Sequence, residues 1–286
     1  MELKGKKIAC LGDSITAGSG ASVYENCWVA RLGVLSKADV KNYGIGGTRI
    51  ARRQFPDEPN LVCDQDFCLR APKMEKDADV VIVFGGTNDY GHGDAEMGTF
   101  ADDTPDTFCG ALNWLFTYLK ENFKNAEILV LTPLHRRNEN NLRGDGSKKK
   151  DFATLLEYVE NIRLAAKEYG FKMLDLYTQA GMDPAEGDGD ATYFTDGLHP
   201  NDLGHSIVAQ KVYEFLKEIY TKSHPAGWLL FCKKFIVCPS GRVVFYVFPN
   251  FRVISFSSHH VVVKGALKYI MTDSFIGKSL KCGYYV

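Results

Sequence analysis

A carboxylate and an imidazole three residues apart, Asp196 and His199, stand in the run Asp196-Gly197-Leu198-His199-Pro200-Asn201. In a turn entering a helix, that spacing lets the carboxylate reach its own histidine and hold the ring in one tautomer. A histidine so held is a general base, and a serine hydroxyl is a poor nucleophile until such a base takes its proton. Ser14, in Gly12-Asp13-Ser14-Ile15-Thr16, follows the first apolar run of the chain and is the candidate hydroxyl. The chemistry suggested is acyl transfer, which also needs donors facing a developing oxyanion. Three are available: the backbone N–H of Ser14, the backbone N–H of Gly47 in Gly44-Ile45-Gly46-Gly47-Thr48, and the side-chain amide of Asn88 in Gly85-Gly86-Thr87-Asn88-Asp89. Glycine suits position 47 because a bare backbone admits close approach of a substrate. Gly46 is the alternative donor in the same run.

Residues so far apart in the chain need a scaffold that brings them together. Short apolar runs at Lys7–Leu11, Val40–Tyr43, Asp79–Phe84, Glu127–Leu131 and Phe171–Asp175 read as strands buried on both faces. Helical spacing recurs in Phe108–Phe123, in Phe152–Ile162 with Gly170 placed to end the helix, and in Leu203–Ile219. Strand–helix alternation of this kind predicts an α/β domain with a mostly parallel sheet between helices, ending near Lys222. Open parallel sheets bind ligands beyond the carboxyl ends of their strands. The serine, glycine and asparagine segments each follow a predicted strand, as does Thr132-Pro133-Leu134-His135-Arg136. The glycines fail the dinucleotide fingerprint, because Arg49 stands where its third glycine belongs.

Around that rim, Asp13, Arg49, Tyr90, His92, His135 and Arg136 are expected as substrate contacts. His205 fits a packing or cap position, and Trp114, Phe116 and Tyr118 fit helix packing. Two segments break the rhythm. Arg49–Lys76 reads as an excursion over the sheet edge, and Arg136–Lys150, ending in three lysines, as a solvated loop.

Composition narrows the partners. The chain of 286 residues carries a net charge of −1, so no overall basic field points to nucleic acid. Residues 223–286 nevertheless hold eight basic side chains and one acid, whereas 1–222 hold 26 basic and 34 acidic ones. The tail therefore differs from the domain before it. It reads either as a small β appendage, with β-prone runs at Val243–Phe248 and Val261–Val263, or as a segment that never packs. Eight cysteines lack zinc-type pairing and are expected as scattered buried thiols. No window is apolar enough for a membrane span and no signal-peptide core is readable, so a cytoplasmic protein is expected.

Taken in order, these motifs closely resemble those of the GDSL, or SGNH, serine hydrolases, over residues 5–222. Gly12-Asp13-Ser14 is similar to the family's first block, Asn42-x-Gly44-Ile45-Gly46-Gly47 to its second, Gly86-Thr87-Asn88-Asp89 to its third and Asp196–Asn201 to its fifth; Ile15 departs from the usual Leu. The resemblance implies a three-layer α/β/α sandwich with a flavodoxin-like sheet. It implies Ser14 as nucleophile, His199 as base, Asp196 as its orienting acid, and oxyanion donors at Ser14, Gly47 and Asn88. It implies no metal or cofactor. The expected activity is a serine esterase removing a short acyl group, such as O-acetyl, from a carbohydrate or other polar small molecule. The alternatives are a lipase, lysophospholipase or thioesterase of the same family, a metal-dependent phosphoesterase, or a non-catalytic sugar-binding module. Oligomeric state is left open.

Overall fold

Apolar runs too short for helices become the sheet, and the amphipathic segments between them become its covers. The computed structural model describes residues 3–55, 62–222 and four C-terminal strands. Its elements run β1 (Lys7–Gly12), α1 (Ser14–Ala17), α2 (Trp28–Ser36), β2 (Asp39–Gly44), α3 (Phe67–Arg70), β3 (Val80–Phe84), α4 (Thr87–His92), α5 (Phe108–Asn122), β4 (Glu127–Leu131), α6 (Leu155–Tyr169), β5 (Lys172–Leu174), α7 (Leu176–Gln179), α8 (Gly189–Tyr193) and α9 (Asp202–Lys222). The five strands form one parallel sheet in the order β2-β1-β3-β4-β5. This is the flavodoxin-like order, with its switch point between β1 and β3.

Register places the carboxyl ends in one row. Gly12 pairs with Gly44 on one side and Phe84 on the other, Phe84 pairs with Leu131, and Leu131 with Leu174. Alternate side chains serve opposite layers. Ala9, Leu11, Val81 and Val83 join the main core with Leu112, Leu115 and Phe116 of α5 and Val159 and Ile162 of α6. Ile8, Cys10, Ile82 and Phe84 are buried on the other face, where the Trp28 ring of α2 meets Phe84 edge-on at 6.0 Å.

Helix α6 begins three residues later than its apolar spacing predicts. A capping box between Thr154 and Glu157 sets the start, and Gly170 (φ +70°) ends it as expected. The segment after Arg49 is no superficial excursion: Phe67 is fully buried in the core, and Arg70 is 5% exposed. The loop 136–150 is likewise not simply solvated. Lys148 is 7% exposed, donates to Asp89 O (3.0 Å) and Tyr158 Oη (3.3 Å), and lies over the Phe152 ring. Burial lowers its pKa to about 8. Phe116 packs inside α5 as expected, while Trp114 and Tyr118 stack on each other, half-buried, at 5.4 Å.

Cys10, Cys27, Cys68 and Cys109 are buried free thiols. The Cys63 side chain and Cys232, Cys238 and Cys282 lie outside the described residues. The chain divides into two units, Glu2–Ile219 and Tyr220–Val286. In the second, β6 (Phe235–Val237), β7 (Val243–Phe245), β8 (Ile254–Ser257) and β9 (His260–Val262) pair antiparallel in chain order. The rest of the β-prone runs, 246–248 and Val263, lies outside the described residues.

Gly44 is where β2 meets α1. A Cβ there would lie 2.2 Å from Ala17 N and 2.6 Å from the Thr16 carbonyl carbon, so Gly44→Ala must push α1 off the sheet. Overpacking of this kind costs about 1–3 kcal/mol. The thermal unfolding midpoint is expected to fall; an unchanged midpoint contradicts this packing.

Candidate active site

Ser14 opens α1 directly after β1. Asp13 caps that helix, its carboxylate accepting the Ile15 N–H at 3.0 Å. The N–H groups of a first helical turn have no partner within the helix, which leaves the Ser14 N–H as a potential donor. On the far side of the sequence, Asp196 Oδ1 accepts the backbone N–H of Leu198 (3.0 Å) and of His199 (2.8 Å), folding the turn around itself. Asp196 Oδ2 then accepts from His199 Nδ1 at 2.7 Å. His199 Nε2 faces Ser14 Oγ at 2.9 Å, with the hydroxyl placed to donate. Burial opposes ionisation of Asp196, but the hydrogen bonds from His199 and Leu198 outweigh it and hold the carboxyl below the usual range.

The histidine turn is buttressed from the N-terminal segment. Gly20 (φ +91°) fits against it so closely that a Cβ would lie 2.2 Å from Pro200 O. His205 is fully buried, accepts from Trp28 N–H at 3.3 Å and donates to Ser19 O at 3.0 Å. Asp202 accepts from Ser22 N–H and Oγ and from Asn26.

The second and third loops meet at Thr48. Residues 45–48 form a tight turn in which Thr48 N–H reaches Ile45 O at 3.4 Å and Gly47 takes φ +72°, a left-handed conformation that favours glycine. Gly46 lies beside Ser14, since a Cβ on it would sit 3.8 Å from Ser14 Cβ. Asn88 is 4% exposed and donates one amide proton to Thr48 O at 2.9 Å, which orients the amide and leaves a second proton. Its neighbour Asp89 accepts from the Ile50 and Ala51 N–H groups at 3.0 and 2.8 Å, tying the same loop to α4.

The six expected substrate contacts fare differently. Asp13 is 1% exposed and serves as the helix cap; burial pushes its pKa up to about 7. Tyr90 is fully buried, its Oη against the carbonyls of Asn138 and Asn141. Arg136 is 5% exposed, donates to Thr87 O and Oγ1 and pairs with Asp145. Arg49, 3% exposed, lies 3.4 Å from Asp64 and 3.3 Å from His92 Nδ1. These four are therefore structural: polar side chains close to the rim are drawn inward by backbone groups that need partners. His92, one helical turn after Asn88, is half-buried, and burial with Arg49 beside it depresses its pKa to about 4. His135 is held by Glu139 (2.9 Å) and lies against the Tyr177 ring, tilted by 34° with the centroids 3.9 Å apart. Sequence reasoning missed Arg137. This exposed side chain packs on Gly197, donates its backbone N–H to Gly197 O at 2.7 Å and pairs with Asp190. Among the described residues, no three His, Cys, Asp or Glu side chains group as a metal site.

The His135–Glu139 pair has a pH signature. Glu139 raises the His135 pKa above its ordinary 6.5 against the opposing effect of burial. Burial also opposes ionisation of Glu139, but its bonds from His135 and Tyr177 hold it below 4.5. The histidine contribution to stability is full below pH 6.5 and is lost as pH rises through the raised value. The glutamate contribution is present above pH 4.5 and is lost as pH falls through the lowered one. Glu139→Gln is therefore expected to depress the unfolding midpoint more at about pH 5.5 than at about pH 8.5. Equal depression at both contradicts the pairing.

Residues 10–207 match the GDSL-like Lipase/Acylhydrolase family. A solved structure from Lactobacillus plantarum is 32% identical with a TM-score of 0.65, over 75% of this chain and 98% of that one. Two more distant structures share the fold. A lipase/acylhydrolase from Enterococcus faecalis is 19% identical, TM-score 0.53, over 74% of this chain and 96% of that one. A protein from Chitinophaga pinensis described as a possible lipase is 19% identical, TM-score 0.55, over 74% and 98%. Among curated proteins no relative matches. Among the described residues no helix is long and apolar enough to cross a membrane. The hydrogen-bonded meeting of Ser14, His199 and Asp196 at the sheet rim thus sits within a chain that belongs to the GDSL-like lipase/acylhydrolase family, whose members hydrolyse esters.

Proposed function

We propose that the protein is a serine esterase with Ser14 as nucleophile, His199 as general base and acid, and Asp196 as the group that orients it. The observation that carries this reading is the unbroken relay from Asp196 Oδ2 through His199 to Ser14 Oγ, at 2.7 and 2.9 Å. Nε2 takes the hydroxyl proton as Oγ attacks the ester carbonyl carbon, and Asp196 stabilises the imidazolium that forms. The Ser14 and Gly47 N–H groups and the second Asn88 amide proton stabilise the oxyanion, with Gly46 the alternative to Gly47. Collapse expels the alcohol, which takes its proton from His199. Water then attacks the acyl-serine with the same imidazole as base, and the free enzyme returns.

For the substrate we propose a short acyl group on a polar alcohol, such as an O-acetylated carbohydrate. Arg49 and Arg136 lend this no support, since both are buried. Its support is the polar edge beside the histidine turn, where exposed Arg137 pairs with Asp190. The test is hydrolysis of p-nitrophenyl acetate against the octanoate by wild type, Ser14→Ala and Asn88→Ala. Ser14→Ala is expected to lose at least about 10³-fold in kcat/KM, and Asn88→Ala about 10²–10³-fold in kcat. Turnover that survives Ser14→Ala removes the serine mechanism. A rate rising steadily with acyl length removes the short-acyl substrate and favours a lipase-type reading.

A further inference from the structure

Beneath the rim lies a cation that the relay itself does not use. Arg70 is 5% exposed, and among the described residues its guanidinium hydrogen-bonds to neutral acceptors, while Asp13 and Asp66 favour its charge without a hydrogen bond to it. Nε donates to Gln65 O at 2.9 Å, one terminal nitrogen to Tyr43 O, and the other to Gly12 O at 3.1 Å and Thr48 Oγ1 at 2.8 Å. Its flat face lies over the Phe67 ring, 4.8 Å from the centroid. Burying a cation without a hydrogen-bonded carboxylate is costly, and an apolar side chain would fill the space with less penalty. The penalty points to what Arg70 holds.

Its acceptors belong to the segments that present the oxyanion donors. Gly12 ends β1, two residues before Ser14, and Tyr43 precedes Gly44 at the end of β2. Thr48 follows Gly47 and is a node. Its hydroxyl accepts from Arg70 and donates to Ile45 O at 2.7 Å, closing the turn that sets Gly47, while its carbonyl accepts from Asn88. We infer that Arg70 is the positioning residue of the oxyanion hole, one planar guanidinium fixing the loops that carry Ser14, Gly47 and, through Thr48, Asn88. This rests on the serine-esterase reading and adds to it a residue that never touches substrate. Lysine, a point charge without the planar fork, cannot span the same acceptors.

The test compares wild type, Ser14→Ala, Arg70→Met and Arg70→Lys. The readouts are kcat and KM on p-nitrophenyl acetate, the unfolding midpoint, and inhibition by a phenylboronic acid, whose tetrahedral serine adduct places an oxygen in the oxyanion position. Arg70→Met is expected to lose about 10²-fold in kcat with KM nearly unchanged, and to bind the boronic acid more weakly by a similar factor. Arg70→Lys recovers part of both. A purely structural arginine predicts a lowered midpoint with kcat per folded molecule and boronate affinity as in wild type, and that result overturns the inference. Should Arg70→Met fail to fold, Arg70→Lys decides: a kcat lower by about tenfold or more with KM nearly unchanged supports the inference, and an unchanged kcat overturns it. Turnover that survives Ser14→Ala removes the esterase reading itself, and this inference with it.

Discussion

Everything at the rim depends on the parallel register of three strands. Because Gly12, Gly44 and Phe84 lie abreast, the chain leaving each strand enters the same small space. β1 sits between β2 and β3, so a serine placed just after it stands at the topological switch point, where neighbouring loops diverge and leave a crevice. Gly12 and Gly44 keep that space open: a Cβ on Gly12 would lie 2.0 Å from Thr16 Oγ1, and one on Gly44 would strike α1. The turn that precedes the last helix returns His199 to the same place, so that residues 185 positions apart share a hydrogen bond.

Below that layer, buried polar side chains do the fixing. Asp89 holds the loop after β2 by two backbone N–H groups, Lys148 and Arg136 take up carbonyls of α4, and Arg70 gathers the ends of β1 and β2. Short helices such as α1 and α4 have little hydrogen bonding of their own, so their orientation depends on such partners. Preorganised donors are effective because they need not reorganise as charge develops. The network supplies that rigidity to loops which would otherwise be the mobile part of an α/β fold.

The legible features were local. Five apolar runs name the strands to within a residue or two, and because the serine, glycine and asparagine motifs each follow a strand, Ser14, Gly47 and Asn88 fall at one rim from order alone, whereas the Asp196–His199 turn comes after two further helices. What escaped reading were contacts between residues far apart in sequence. Arg70 reaches back 58 residues to Gly12, and Lys148 reaches back 59 to Asp89. Nothing in a run of three lysines distinguishes the buried first from its exposed neighbours, because burial is decided by the carbonyls and rings that meet it. The same blindness made Tyr90 and Arg136 look like substrate contacts: position near the rim is written in the sequence, whereas the direction of a long side chain is not.

The central claim is a covalent one, that the acyl group passes through Ser14 Oγ. The most direct measurement is acid quenching of the enzyme during turnover of p-nitrophenyl acetate, followed by peptide mass mapping. The account predicts a single acetyl group on the peptide containing Ser14, absent from Ser14→Ala. Turnover with no acetylated peptide, or with the acetyl group on another residue, would contradict it.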